Sequence, residues 1–139
     1  MPEGEGSVGP TKSAANRRQL RSRRLNPPLD LVHLAVQCQG DPELEKDLLG
    51  LFRVQSRALY AQLSDPGALS LESKATIAHK LRGSALVVGA GRVASAAEAL
   101  ERKALTVPGD VAPRIISQAI AALEAAIAEV IAEIELIRN

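Results

Sequence analysis

The sequence predicts an all-α fold: an up-and-down four-helix bundle with a short additional N-terminal helix. Three observations carry this. Hydrophobic residues make up 46 % of the chain, but Phe52 and Tyr60 are its only aromatics, so the core is aliphatic and rich in Ala and Leu. That composition suits close-packed helices and not sheets, which favour aromatic and β-branched residues. Apolar positions recur three and four residues apart over most of the chain. The punctuation between them is short, at "GDPEL", "SDPG", "VVGAG" and "TVPGD", as expected for antiparallel neighbours joined by turns. With 139 residues there is room for one domain and one modest core.

Taken in order, residues 1–28 read as a flexible basic tail. "MPEGEGSVGP" is rich in Gly and Pro, and "NRRQLRSRR" has no apolar face, so the segment cannot offset its ordering entropy by burial. It carries net +4 against −3 for the remainder, which hides within a total of +1. The Arg cluster could serve an acidic partner. No aromatic interleaves with the arginines to stack on bases, which argues against nucleic acid. Asn26-Pro27-Pro28 then bars a helix from running into residues 29–139, the bundle.

A short first helix is expected over 29–37. The second begins with Asp41 as cap, Pro42 at the first helical position and Glu43 in the first turn. Its expected core stripe is Leu44, Leu48, Phe52, Leu59 and Leu63, with Gln55 interrupting, and it ends near Ser64–Gly67. Ser70 caps the third, with Glu72 behind it; Gly89 and Gly91 weaken or bend it. A fourth covers 92–105. The fifth, 112–138, is the most regular, with Ile116, Ile120, Leu123, Ile127, Val130, Ile134 and Ile137 as its stripe. Such a stripe is the inner face of a bundle or the seam of a dimerising coiled coil; the bundle, as a monomer, is the simpler reading.

Several chemistries are excluded. A single Cys38 leaves no internal disulfide and no cysteine-based metal site. Two histidines and one cysteine, far apart, form no recognisable ligand set. The Gly-x-Gly at 89–91 lies in helical context with no strand before it, so it is not a nucleotide-binding loop. No apolar run approaches the roughly 18 residues that cross a bilayer. The N-terminus is polar, and a soluble cytoplasmic protein without membrane contact is expected.

His79 is the residue that asks for a function. On a helical wheel with Leu81 at zero, Lys74, Ile77, Ala85 and Val88 fall within about 40° and form the core face. His79 lies about 160° away, towards solvent. Gly83 follows it one turn later, Ala75 and Thr76 precede it, Arg82 sits to one side and Lys80 farther round. Glycine inside a helix costs about 1 kcal/mol relative to alanine. Solvent gives no reason for that cost next to a histidine, whereas a partner approaching the backbone does. His33, among Leu31, Val32 and Leu34, has no basic neighbours and no glycine at +4, and reads as structural or incidental.

His79-Lys80-Leu81-Arg82-Gly83-Ser84, then Gly89-Ala90, then Leu100-Glu101, resembles the signature of histidine-containing phosphotransfer (HPt) domains. The resemblance runs from about Leu29 to the C-terminus; Arg82 stands where lysine is commoner, and Gly91 is an extra glycine. It implies a four-helix phosphocarrier without kinase activity of its own. His79 would be the phosphorylated nucleophile, with Arg82 and Lys80 stabilising phosphoryl oxygens. Gly83, Leu86, Ala75 and Thr76 would form the surface a partner meets. The partners would be receiver domains of a hybrid histidine kinase and of a response regulator. Mg²⁺ would sit on the receiver, and this chain would hold no cofactor. Two other functions fit the residues: a helical regulator of kinases or receivers that carries no phosphate, and an adaptor binding acidic partners through the Arg cluster.

Overall fold

The computed structural model describes residues 27–65 and 69–138; the side chain of residue 138 is not included. The expected basic tail lies outside these residues except for Pro27 and Pro28. Among the described residues the fold is all-α, with five helices: α1 Leu31–Gln37, α2 Pro42–Ser64, α3 Leu71–Val88, α4 Gly91–Thr106 and α5 Ala112–Arg138.

The starts are set by local chemistry. Asp30 accepts from the His33 amide at 3.0 Å and so starts α1 two residues later than the sequence suggested. The Asp41 carboxylate accepts from the Glu43 and Leu44 amides, with Pro42 behind it. Ser70 Oγ accepts from the Ser73 amide. Gly89 ends α3 rather than bending it. It adopts φ +80°, and Ala90 N–H donates to Ala85 O at 2.8 Å, closing the last turn. Gly91 then opens α4.

The four long helices form a ring in which α2 packs on α3, α3 on α4, α4 on α5, and α5 back on α2. The α3–α4 seam is the most extensive. The buried residues of these two helices are mostly small: Ala75, Ala78 and Ala85 on α3 and Ala94, Ala97 and Ala104 on α4, beside Leu81 and Leu100. Leu34, Leu49, Leu81, Leu100, Leu123 and Ile134 are almost wholly buried, each contributing roughly 1.5–3 kcal/mol of transfer free energy. α1 lies across the end of α3. Asp30 N–H donates to Gly89 O, and His33 Nε2 meets Leu86 O at 2.9 Å. A carbonyl only accepts, so Nε2 is the donor. His33 is therefore the structural residue the sequence suggested. Cys38 is buried and free, and burial pushes its thiol up.

Three expectations are corrected. The core stripe of α2 is Leu49, Phe52, Ser56, Leu59 and Leu63. Leu44 is exposed, whereas Leu48 is half-buried and packs against the edge of the core. Its polar core position is Ser56, satisfied by the Arg53 carbonyl, and not Gln55. At the far end of α5, Ile137 lies beyond the core and is exposed. Finally, α5 is long and apolar enough to cross a bilayer by length and composition, with a mean hydropathy of 1.8 over the most apolar 18 residues. Counting uninterrupted runs missed this, since Glu124 and Glu129 break the run without making the helix polar.

Candidate functional site

The site is built on one hairpin. The tight Gly89–Ala90 turn sets the antiparallel register of α3 and α4, so that ten residues back and twelve forward bring His79 level with Glu101. His79 Nδ1 lies 3.0 Å from Glu101 Oε2. The histidine side chain is 66 % exposed and the glutamate side chain 23 %. An ionised carboxylate only accepts, so Nδ1 carries the hydrogen and donates. In the neutral ring the lone pair is then on Nε2. This is how an imidazole is prepared as a nucleophile: one nitrogen anchored, the other free to attack on an exposed surface.

The surroundings combine cations with bare backbone. Arg82, one turn on, is half-buried, and Lys80 is exposed. Among the described residues no carboxylate is within ion-pair distance of either. Both charges are available to an incoming anion. A Cβ built on Gly83 would meet nothing within 4 Å. Internal packing therefore does not require glycine there. At Gly89 the same atom would sit 2.9 Å from Asp30 O in a backbone with positive φ, so there the glycine is demanded from inside. Leu86 is 52 % exposed beside an exposed Val87. Ser84 Oγ donates to Gln55 Oε1 at 2.8 Å, tying this part of α3 to α2.

The structure thus brings together His79, Lys80, Arg82, Gly83 and Leu86 on the outer side of α3. Thr76 is exposed as expected, with its hydroxyl donating to Glu72 O. Ala75 is not part of that surface. It is 5 % exposed, because the buried arc of α3 is turned towards α4 and takes in Ala75 and Ala78 as well as Leu81. Glu101 is the residue sequence reasoning passed over: it stood in the Leu-Glu pair without a role. Counting outward from the Gly-Ala turn would have placed it level with His79. Among the described residues no group of His, Cys, Asp and Glu could hold a metal ion.

A protein-family model described as Hpt domain matches residues 47–133, more than half the chain. The chain belongs to the HPt family. HPt domains are helical bundles that act in histidine phosphotransfer within two-component phosphorelays; they are phosphocarriers and not kinases, and they interact with receiver domains. Neither the curated proteins nor the solved structures searched contain a match to the chain. The HPt match begins at Asp47, so α1, whose His33 and Asp30 hold the end of α3, lies outside it.

Proposed function

We propose that His79 is the phosphorylated residue of this HPt domain, accepting a phosphoryl group from a receiver-domain aspartate and passing it to a second receiver. The observation that carries this is the exposed His79 ring held at Nδ1 by Glu101 within an HPt family match. Nε2 attacks the phosphorus of the aspartyl phosphate. An N–P bond forms as the O–P bond breaks, and the electron pair returns to the aspartate carboxylate. Glu101 keeps the Nδ1 hydrogen in place throughout, so the ring never presents its protonated nitrogen. Arg82 and Lys80 supply charge to the phosphoryl oxygens, with Arg82 able to bind two at once. Gly83 leaves room for the receiver's loops, and Leu86, with Val87, gives an apolar footing beside the histidine.

The aspartate site on the receiver brings its own Mg²⁺, and this chain contributes no cofactor. Donor and acceptor are the receiver of a hybrid histidine kinase and that of a response regulator, which places the protein in the cytoplasm. The test is transfer from a phosphorylated receiver to wild-type protein and to His79→Gln. Wild type is expected to become labelled and the variant not, with equal helical signal. Label retained in the variant, or mapping to His33, refutes the assignment.

A further inference from the structure

We infer that a cavity on the inner side of α3, away from His79, binds a small aliphatic carboxylic acid whose head group meets Lys74. The starting point is a lysine on the wrong face of its helix. Lys74 lies within about 40° of Leu81 on the wheel, on the core side of α3. It is half-buried. Among the described residues no carboxylate is within ion-pair distance of it. It borders a cavity of about 680 Å³ between the end of α2 and the starts of α3 and α5. That volume suits a small molecule.

The lining chooses the ligand. Its apolar part is aliphatic: Leu63 from α2, Leu71 from α3, and Ile116 and Ile120 from α5. Tyr60 is the one aromatic, so a flat ring has little to stack on and a flexible chain fits better. Three lining residues carry charge: Lys74, Asp65 and Glu124. Burial and a hydrogen bond to Glu124 push the Tyr60 hydroxyl up, so the Glu124 carboxylate already has a donor. Asp65, exposed at the rim, has a contact of its own. Lys74 alone is unmatched. A carboxylic acid supplies its missing partner through a charge-assisted hydrogen bond, while the alkyl chain covers the aliphatic lining. An amine would set a like charge against Lys74, and an alcohol would leave the ammonium without a counter-charge.

The direction of the ligand follows from register. Counting along the helices from the Ser84–Gln55 and Tyr60–Glu124 contacts puts Lys74 about 7 Å along the axis from Tyr60 and Glu124. With the acid on Lys74, the chain runs towards Tyr60. The site is separate from the phosphotransfer surface: Lys74 and His79 share α3 but lie about 140° apart around it. A bound acid leaves His79, Lys80 and Arg82 uncovered, and the inference does not depend on what His79 does.

The experiment uses Tyr60 as its own reporter. It is the only tyrosine, and the chain has no tryptophan, so its fluorescence reads this cavity. The probe is decanoate below its micelle concentration, titrated into the full chain at neutral pH. A saturable change in Tyr60 emission is expected, with a matching rise in melting temperature. Decanol and decyltrimethylammonium should bind about tenfold more weakly or worse. Lys74→Met keeps an unbranched stem without the charge. It should fold, bind decanoate about tenfold more weakly and bind decanol as before. Lys103→Met, on the exposed side of α4, should bind decanoate as wild type does. No saturable change with decanoate overturns the inference. So does equal affinity for decanoate and decyltrimethylammonium, and so does a folded Lys74→Met that binds decanoate as tightly as wild type.

Discussion

Replacing Glu101 tests how the histidine is prepared, apart from whether it is used. Glu101 touches His79 only at Nδ1, 3.0 Å away. A hydrogen bond with one charged partner is worth about 1.5–3 kcal/mol. With His79 66 % exposed, water competes for it, which reduces the contribution to about 1 kcal/mol. The bond already exists in the resting protein and strengthens as attack puts positive charge on the ring; with about 1 kcal/mol of such strengthening, Glu101→Ala slows transfer about fivefold. Glu101→Gln keeps an acceptor without the charge and should lose only about twofold. The assay is single-turnover transfer from a phosphorylated receiver, read beside the imidazole nitrogen resonances. Wild type should show the hydrogen on Nδ1 and the lone pair on Nε2. Glu101→Ala should show a mixture of both tautomers, a change that a merely structural contact would not produce. If Glu101→Ala transfers at the wild-type rate with an unchanged tautomer, Glu101 does not position the nucleophile.

Three further outcomes concern the cations beside His79 and the glycines. Gly83→Ala, with open space around the added methyl, should raise stability by up to about 1 kcal/mol yet slow transfer, and Gly83→Leu should slow it further; equal rates for Gly and Leu would remove the docking role. Arg82→Ala should lower the transfer rate and shorten the lifetime of the phosphohistidine, Arg82→Lys should keep much of both, and Lys80→Ala should do less harm; a time course of transfer and hydrolysis ranks them, and a more damaging Lys80→Ala would reverse the assignment. Gly89→Ala should cost roughly 1–3 kcal/mol in thermal or denaturant unfolding, because it combines positive φ with a 2.9 Å approach to Asp30 O. Gly40→Ala shares the positive φ without the clash and should cost less.

The helix limits were legible because caps are local. Asp41, Ser70 and Gly89 act on neighbours within four residues, and the chain spells them out. What α2 buries was less legible, because the exposed Leu44 and Leu51 lie at helical spacing just as Leu49, Phe52, Leu59 and Leu63 do. Only the position of α3 and α5 decides between the two stripes. Ala75 was misplaced for a related reason. A wheel centred on the largest apolar residue, Leu81, gives alanines little weight, although alanines at 75, 78 and 85 are what turn α3 towards α4. His79, Arg82, Lys80 and Gly83 lie within five residues and could be read as one pattern. Glu101 is 22 residues away and depends on the register of a hairpin.

That register ties packing to chemistry. A larger side chain at Ala78, which is fully buried, would push α4 away from α3. The 3.0 Å contact between His79 and Glu101 has no slack for such a shift, since a hydrogen bond is largely lost by about 3.6 Å. The alanine seam therefore does more than fill the core: it sets the distance at which a carboxylate on one helix can hold an imidazole on the next. Gly83, on the outer side of the same helix, leaves the approach to that imidazole open. Small residues inside bring the orienting group close, and a missing side chain outside lets the partner in. The same helix thus gives up intrinsic helix stability at Gly83, and it recovers the cohesion through the extent of the seam at its back.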